Sequence, residues 1–210
     1  LNRMVEDNSI LHSSYYRFSL NNSIKNITTI HDFTYELHIG GLSAKVHQLQ
    51  KCLAIKNSSG IICVSESTKK DLLSSYPDID SKIVKVIRLA ASDCYFPITN
   101  IDILETRFSN LKDNKILSFV GKRIKYKNFS LAISILKNLP KDYHLVIIGG
   151  GDLNKEEIEM LSCIKEQVTY FKNLASEEIN ILYNISFCYL YPSEYEGFGI
   201  PVLESMQAGC

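Results

Sequence analysis

The chain has 210 residues, 45% of them hydrophobic and 22% charged, which is ordinary globular composition and enough to build a core in one or two domains. Its 23 basic and 23 acidic residues cancel, so the total charge gives no electrostatic case for nucleic acid and argues against a strongly polybasic membrane-binding surface, although a local patch is compatible with it. No apolar run approaches the roughly 20 residues that cross a bilayer.

The cysteines and the first residues of the chain predict the cellular compartment of the protein. None of the six cysteines forms a C-x-x-C pair, which predicts reduced, mostly buried thiols in a reducing compartment. The first seven residues, Leu1 to Asp7, lack the basic-then-apolar layout of a signal peptide. We therefore expect a cytoplasmic protein. The chain does not begin with Met and stops at Gly209 and Cys210, and we expect it to be a piece of a longer protein that lacks both ends.

The first half alternates short apolar runs with longer amphipathic ones. Apolar residues at Val46, Leu49 and Leu53 recur at helical spacing and predict a helix over 43–57. Ser65 is placed to cap a second helix. Runs rich in β-branched residues predict strands at 26–30, 60–64 and 82–87.

The alternation of apolar and amphipathic runs stops between residues 92 and 114. We place a linker within this stretch, at 98–111, and expect a short helix at 104–108. The pattern then restarts. It predicts helices over 129–138 and 154–165, a third capped by Ser176 and ending near 184, and a last one with Pro201 as its first residue. The strands predicted in this half are 116–120, 144–148, 168–170 and 187–191.

Repeated strand–helix units with unbroken apolar strands predict an α/β fold with two doubly wound parallel-sheet domains. The first covers residues 1–97 and the second residues 112–210. Ligands of such sheets bind beyond the carboxyl ends of the strands. We therefore expect functional residues in the loops that follow the strands, at 31–32, 121–123, 149–152 and 192–199.

The segment from Pro192 to Glu204 reads as a strand end, a glycine loop and a helix start. Gly197 and Gly199 allow the backbone to approach a ligand, and free N–H groups around Phe198 and the first helical turn favour anions. Glu196 and Glu204 lie eight positions apart, on the loop and in what we expect to be the first helical turn, so both are expected to face the same crevice. Carboxylates there would accept hydrogen bonds from sugar or ribose hydroxyls.

This segment resembles the E-x7-E motif of GT-B glycosyltransferases, in particular the retaining family 4 or "group 1", with Glu-Gly-Phe-Gly-Ile-Pro and a final Gln-Ala-Gly. The resemblance implies two Rossmann-like domains facing a cleft, an acceptor side first and a nucleotide-sugar side second, both incomplete here. It further implies transfer of a hexose from a nucleoside diphosphate to a hydroxyl with retention, by front-face attack assisted by the leaving phosphate.

The segment from Gly121 to Phe129 follows a strand and contains four cations. In the resembled family a Gly-x-Arg…Lys-Asn pattern at this place holds the donor diphosphate, a role that the resemblance assigns here to Arg123 and Lys127 together with Gly197, Phe198 and Gly199. Fixed cations would stabilise the charge that grows on the leaving diphosphate. A solvated basic loop is the alternative interpretation.

Further residues are assigned by resemblance. Gly149 and Gly150 match the family's glycine turn after the second strand, and the base is expected near Lys172, Asn173 and Leu174. His31 matches a strand-end histidine that faces the donor sugar, so His31 and Glu196 are the candidate catalytic residues, while Glu204 is the candidate ribose ligand.

No cofactor and no metal are expected beyond the donor, which we expect to be a GDP- or UDP-hexose. The D-x-D at Asp78 and Asp80 resembles a metal motif of the other glycosyltransferase fold, but it lies in a polar turn and is interpreted as a surface loop. A Lys- and Asn-rich composition fits a bacterial surface-polysaccharide gene, of the lipopolysaccharide O-antigen or capsule type. The acceptor is then a carbohydrate or a lipid-linked saccharide, with peripheral contact at the inner membrane face.

Two alternatives stay open. One is a truncated, non-catalytic remnant that at most binds nucleotide. The other is a GT-B sugar-nucleotide epimerase or phosphorylase, although the sequence shows no lysine context for pyridoxal and the epimerase lacks this E-x7-E setting.

Overall fold

The computed structural model describes residues 8–13 and 15–210, with their side chains except that of Leu104. The segment Leu1 to Asp7, on which the signal-peptide prediction rests, lies outside the described residues. The chain forms two compact units. The first comprises the described residues up to Leu89 together with Glu196–Phe198, and the second comprises Ala90–Tyr195 and Gly199–Cys210.

The first unit contains a sheet of four parallel strands in chain order. Its strands are β1 (Ile10–Ser13), β2 (Lys25–Ile30), β3 (Gly60–Cys63) and β4 (Val84–Val86). Its helices are α1 (Thr34–Leu37), α2 (Leu42–Lys56) and α3 (Glu66–Ser75). Strand β1 was not predicted, because its residues are exposed or half-buried and form no apolar run.

Helix α2 lies where a helix was predicted, but the orientation that its apolar spacing favours is wrong. Val46, Leu49 and Leu53 are 57%, 59% and 41% exposed. The face turned toward the protein carries His47 and Lys51, which are both buried. Spacing shows which residues share a face of a helix, whereas the partners of the buried polar groups decide which face turns inward.

The second unit contains a parallel sheet in the order β7-β6-β5-β8. Its strands are β5 (Lys115–Val120), β6 (Tyr143–Ile148), β7 (Val168–Phe171) and β8 (Ser186–Tyr189). Its helices are α4 (Phe129–Lys137), α5 (Lys155–Leu161), α6 (Ser176–Ile185) and α7 (Ile200–Gln207). Numbered within the unit, this order is 3-2-1-4, the first part of the Rossmann strand order.

Strand β5 is buried on both faces, as its apolar residues on either side of Ser118 predict. Leu117 and Phe119 pack in one core cluster with residues of α4 such as Leu136. Ile116 points into a second cluster that contains Leu182 of α6. Apolar clusters on opposite faces of the same strand show that helices cover both sides of this sheet, which is the doubly wound arrangement.

Residues 90–97 group with the second unit, although the sequence analysis assigned them to the first domain. The reason is a pair of side-chain amides on α6. Asn180 Oδ1 accepts from the backbone N–H of Phe96 at 3.0 Å, and Asn184 Oδ1 accepts from that of Ile98 at 2.7 Å. Between 98 and 111 the chain forms two 3-10 turns, Ile103–Glu105 and Ser109–Leu111, in place of the single short helix expected at 104–108.

Several helix boundaries differ from the predicted ones. The helix predicted over 154–165 ends at Leu161 and continues as the 3-10 segment Ser162–Gln167, within which Ile164 has non-helical dihedrals. Helix α6 is capped by Ala175, whose backbone N–H donates to Glu178, so the prediction of Ser176 as the cap is wrong. Helix α7 begins at Ile200, and Pro201 is its second residue.

All six cysteines are free thiols, but the prediction that most are buried is wrong: Cys63 is buried, Cys163 and Cys210 are exposed, and the other three are half-buried. Within the part of the chain that the structure describes, no helix is long and apolar enough to cross a membrane.

Candidate active site

The carboxyl ends of β5 and β8 form the topological switch point of the second sheet, where the strand order reverses. Ligands of doubly wound sheets bind at this place. The loops that leave these two strands are joined, since the backbone N–H of Glu194 donates to the carbonyl of Tyr126 at 2.8 Å. Both predicted diphosphate loops of the second unit therefore begin at the edge where a ligand is expected.

Lys127 ends the 3-10 turn Lys125–Lys127 in the loop after β5. Its ammonium lies 5.6 Å from the ring centre of Tyr126 and 5.7 Å from that of Tyr191, which follows β8. The next residue, Asn128, adopts the left-handed conformation with a φ of 50° and begins α4. The half-buried Lys127 thus places a positive charge between the two loops of the switch point.

Arg123 is the most heavily bonded cation described in the second unit. Its side chain is 2% exposed, and its Nε donates to Glu157 Oε1 at 2.8 Å. Nη1 donates to the carbonyl of Gly149, while Nη2 donates to those of Gly151 at 2.9 Å and Asp152 at 3.1 Å. The guanidinium therefore holds the glycine turn after β6 together, and these contacts leave it little free donor capacity.

The turn that Arg123 holds is built from three successive glycines with φ values of 87°, 79° and 75°. A Cβ at Gly150 would lie 2.7 Å from Arg123 Nη1, so any other residue there would displace the guanidinium from its present position. Tyr170 of β7 donates its hydroxyl to the carbonyl of Gly151, and its ring lies 5.2 Å from Arg123 Cζ. A groove of about 340 Å³, lined in part by Lys122, Gly150 and Glu157, lies beside this turn.

Helix α7 carries the predicted ribose ligand. Gly199 is its N-cap, and Glu204 is its fifth residue, one turn later than expected. Glu204 is half-buried, and this burial raises the pKa of its carboxyl group. Among residues 8–13 and 15–210, no side chain or backbone N–H is paired with this carboxylate by a hydrogen bond or an ion pair. A partly desolvated acceptor of this kind is suited to bind hydroxyl groups.

In the first unit, His31 follows β2 with an exposed side chain. The segment Glu196–Phe198 belongs to the same unit, and a Cβ built on Gly197 would overlap the carbonyl oxygen of His31. The carbonyl of Gly197 accepts from Ser65 Oγ at 2.5 Å and from Thr68 Oγ1 at 3.1 Å. Ser65 also caps α3 through the backbone N–H of Thr68, as predicted, but its contact with Gly197 was not anticipated.

A buried ion pair holds the chain that follows His31. Lys51 of α2 has a fully buried side chain, and its Nζ donates to Glu36 Oε2 at 2.8 Å and to the carbonyl of Asp32 at 2.9 Å. The ammonium also lies 4.5 Å from the ring centre of Phe33. Beside it, the pKa of His47 is lowered by burial and by the charge of Lys51, so this imidazole favours its neutral form.

The base-side candidates Lys172, Asn173 and Leu174 follow β7, at the same sheet edge as the loops after β5, β6 and β8. Lys172 pairs with Asp152 at 2.8 Å, an exposed ion pair whose hydrogen bond and charge raise the pKa of Lys172. At the D-x-D segment, Asp80 accepts from the backbone N–H of Lys82 and so caps a 3-10 turn. Within the described part of the chain, no three His, Cys, Asp or Glu residues are grouped to hold a metal ion. Metal-independent transfer stays a prediction.

Sequence reasoning missed three residues that hold these loops. In the sequence, nothing distinguishes Lys51 from the other lysines of α2, and nothing distinguishes Tyr170 from an ordinary strand residue. Glu157 left a usable signal, because Asn154 and Glu157 have the spacing of a capping box and form one. The box fixes the Glu157 carboxylate at the start of α5, where its second oxygen meets Arg123.

Comparison with known proteins shows the family of this chain. The model of the family "Glycosyl transferases group 1" matches residues 102–210. The O-antigen chain mannosyltransferase RfbU of Salmonella typhimurium is 26% identical over 182 residues, which are 85% of this chain and 48% of that protein. The serotype-specific mannosyltransferase WbdA of Escherichia coli is 25% identical over 94% of this chain and 26% of that protein. The chain thus spans about half or less of the length of these relatives.

Solved structures share the fold at lower sequence identity. Anabaena Alr3699/HepE, in complex with UDP and glucose, superposes with a TM-score of 0.75 at 18% identity, over 89% of this chain and 51% of that chain. Sucrose-phosphate synthase from Thermosynechococcus elongatus gives a TM-score of 0.71 at 16% identity, over 95% of this chain and 54% of that chain. The two parallel-sheet units are therefore those of the GT-B fold, and the chain belongs to the glycosyl transferases of group 1.

Proposed function

We propose that the chain carries the donor site of a retaining glycosyltransferase that moves a hexose from a nucleoside diphosphate to an acceptor hydroxyl. The observation that carries this proposal is the half-buried carboxylate of Glu204, whose pKa is raised by burial and which has no bonding partner among the described residues. Removing a carboxylate from water is costly unless hydroxyl or N–H groups replace the water. The two hydroxyls of a ribose would supply this replacement.

Lys127 is the proposed direct ligand of the diphosphate. It lies between the loops after β5 and β8, and the N-cap of α7 at Gly199 opens a helix whose first N–H groups favour anions. As the bond between the sugar and the diphosphate breaks, its electron pair leaves on the diphosphate oxygen. A fixed cation would stabilise that charge more in the transition state than in the ground state.

For Arg123 we propose a positioning role in donor binding. Its donors are taken up by Glu157 and by the carbonyls of Gly149, Gly151 and Asp152. It would thus shape the turn that borders the donor instead of gripping the diphosphate, which was the role expected from the resemblance.

His31 and Glu196 are the proposed sugar-side residues, each with polar atoms able to bind hydroxyls of the donor hexose. Retention would follow from front-face attack. The acceptor oxygen would form its bond to the anomeric carbon as the diphosphate departs, and its proton would pass to the leaving phosphate. No metal and no cofactor enter this scheme.

Mannose is the proposed hexose, because RfbU and WbdA are mannosyltransferases and match most of this chain at about 25% identity. Both GDP and UDP are candidate carriers; the Anabaena structure holds UDP. The proposed setting is bacterial O-antigen or capsule synthesis in the cytoplasm, with a carbohydrate or lipid-linked acceptor at the inner membrane face.

Titration calorimetry of the full chain with GDP, UDP and ADP tests the donor site. One nucleotide should bind, and Glu204→Gln and Lys127→Met should each weaken it about tenfold, the worth of one charge-assisted hydrogen bond. Lys125→Met is the matched control for Lys127, since Lys125 lies exposed on the same turn, and Glu159→Gln is the control for Glu204.

Failure of all three nucleotides to bind to folded protein, verified by circular dichroism, would overturn the proposed donor site and favour the non-catalytic remnant. Equal weakening by Lys125→Met would show that the loop attracts phosphate only through its total charge.

A further inference from the structure

A groove of about 460 Å³ lies between α5 and the edge of the second sheet. Strand β7 is the outermost strand in the order β7-β6-β5-β8, so no further strand of the described residues covers its outer side. The volume falls within the range of small-molecule sites, about 300 to 1,000 Å³. Most of the residues that line the groove are apolar or aromatic: Leu153, Ile158, Leu161, Val168 and Tyr170.

The hydroxyl groups of the groove are already used within the protein. Ser162 Oγ donates to the carbonyl of Glu159 at 2.7 Å, and Tyr170 donates its hydroxyl to the carbonyl of Gly151. Each hydroxyl has only one proton to donate. The groove therefore disfavours ligands that need several hydrogen bonds, such as sugars and nucleobases, and favours an apolar body.

In the described part of the chain, Lys165 is the only charged residue that lines the groove. Its ammonium lies 3.8 Å from Glu166 Oε1, and the two side chains are 76% and 87% exposed. An ion pair this exposed contributes little, so a ligand carboxylate can take the place of Glu166. The exposed carboxylates of α5, Glu156 and Glu159, do not line the groove. An apolar molecule with one negative group therefore complements the lining.

The position of the apolar surface separates a small molecule from a protein partner. Of the five apolar lining residues only Ile158 is exposed, at 55%, whereas Leu161 is buried and the other three are half-buried. A specific protein interface buries about 800 Å² on each partner. The apolar surface here lies inside a concave groove, which a chain or ring can enter and a broad protein surface cannot.

The groove shares two residues with the contacts that hold the glycine turn. Tyr170 donates its hydroxyl to a carbonyl of the turn 149–152, and its ring lies 5.2 Å from Arg123 Cζ. Leu153 directly follows Asp152, whose carbonyl accepts from Arg123 at 3.1 Å. A ligand packed against Tyr170 and Leu153 would restrict both residues and so favour the bonded arrangement of the turn.

We propose that this groove is a regulatory site for a small apolar carboxylate, whose binding orders the glycine turn. Ligand binding and the ordering of the turn rest on contacts within the second unit alone. The consequence for the donor rests on the proposed function: the turn borders the donor, and an ordered turn loses less entropy when a nucleotide binds, so the nucleotide should bind more tightly.

Calorimetric titration of the full chain with octanoate, in the absence of nucleotide, tests the site. The neutral probe of the same chain length is octan-1-ol, which should bind more weakly because it cannot pair with Lys165. Ile158→Asp should weaken octanoate about tenfold, because it places a carboxylate on the apolar wall. The matched control is Leu131→Asp, the same kind of change at a 44% exposed residue of α4, which should leave the affinity unchanged.

Lys165→Met should weaken octanoate about three- to fivefold and leave octan-1-ol within about twofold. Lys155→Met, on an exposed residue of α5 outside the lining, should change neither. The proposal is overturned if folded protein binds no octanoate, if wild type binds both probes equally, or if Leu131→Asp loses as much affinity as Ile158→Asp. A dimer in sedimentation velocity that Ile158→Asp dissociates would also overturn it, since the groove would then belong to a second copy.

Hydrogen–deuterium exchange with and without octanoate tests the effect on the turn. Amides at 149–152 should exchange about threefold more slowly when octanoate is bound. Tyr170→Phe keeps the ring in the groove but removes the hydroxyl, so it should lose this protection while its octanoate affinity stays within about twofold. An unprotected turn in wild type, or equal protection in Tyr170→Phe, would contradict the regulatory role.

The effect on the donor is measured by calorimetry with the nucleotide that wild type binds, at saturating octanoate. The nucleotide should bind about two- to threefold more tightly. An unchanged affinity would contradict regulation of the donor site. Absence of nucleotide binding in protein that binds octanoate would overturn the proposed donor site and leave the groove intact, so the two failures are distinguishable.

Discussion

Each unit contains a buried cation paired with a carboxylate, and the two pairs differ in how much chain they hold. In the first unit, Lys51 meets Glu36 and a single carbonyl, that of Asp32. In the second unit, Arg123 meets Glu157 and carbonyls along the turn 149–152. The ammonium of lysine is a compact charge that binds at one place, whereas the planar guanidinium of arginine can donate to several carbonyls along a turn. The pairs therefore hold a strand end in one unit and a glycine turn in the other.

The largest effect is expected from removing Lys51. Lys51→Met leaves the Glu36 carboxylate buried without its ion pair, and we expect a loss of about 3 kcal/mol in the free energy of unfolding, the usual cost of breaking a buried pair. Urea denaturation followed by circular dichroism measures it. Lys56→Met, on an exposed residue of the same helix, should stay within about 0.5 kcal/mol of wild type.

The double variant Lys51→Met/Glu36→Gln sharpens this prediction. It should be more stable than Lys51→Met alone, because no uncompensated buried charge remains. Additive losses in the cycle would show that the two side chains act independently and would contradict the pairing.

Arg123→Lys should cost about 2 kcal/mol, because an ammonium cannot reproduce the fork that bonds Glu157 and the turn carbonyls. Amide exchange at 149–152 should become faster, as measured by hydrogen–deuterium exchange. The matched control is Arg107→Lys: Arg107 pairs with Glu178 at 3.1 Å but its side chain is 57% exposed, so a change below about 0.5 kcal/mol is expected. Similar losses in both variants would refute the special role of Arg123.

Glu157→Gln distinguishes two possible roles of Arg123, positioning the turn and binding the diphosphate, because they predict opposite changes in nucleotide affinity. Glutamine keeps the capping box with Asn154 but weakens the pairing with Arg123. If Arg123 positions the turn, the nucleotide affinity should fall about fivefold, or roughly 1 kcal/mol. If Arg123 instead binds the diphosphate, removing its competitor should tighten binding. Calorimetry with the nucleotide that wild type binds decides between them, with Glu156→Gln as the exposed neighbouring control.

The smallest effect concerns Glu204, which belongs to neither pair. Because burial raises its pKa, the folded state holds its proton more tightly than the unfolded state does, and stability is lost as the pH rises through the raised pKa. Glu204→Gln should therefore raise Tm at pH 7 by about 2 °C or less, since solvent screening reduces the effect at a half-exposed group. Below the pKa of an ordinary glutamate the difference should vanish. A Tm that falls at neutral pH would contradict this account.

The second unit could be read from the sequence more fully than the first. Strands such as β5 and β6 are mostly apolar runs followed directly by glycines, and these patterns by themselves place the loops at one sheet edge. In the first unit, β1 has no such run and was missed, and the spacing of leucines on α2 favoured the wrong inward face. The partner of Lys51 lies fifteen residues away on α1, a distance at which periodicity carries no information.

The same contrast holds for the candidate site. Glycine loops and the position of Lys127 follow from local motifs, because a strand end, a turn and a helix start are adjacent in sequence. The engagement of Arg123 does not, because Glu157 and the turn carbonyls are 26 to 34 residues distant in the chain. Motif matching therefore located the cation but could not tell whether its donors are free.

The most direct test of the account is hydrogen–deuterium exchange of the full chain with and without the nucleotide that binds in calorimetry. Nucleotide binding should slow exchange in three segments of the second unit: the loop 121–128, the turn 149–152, and the start of α7 through Glu204. The contradicting result is a bound nucleotide that leaves all three segments unprotected, since the donor would then bind elsewhere on the chain.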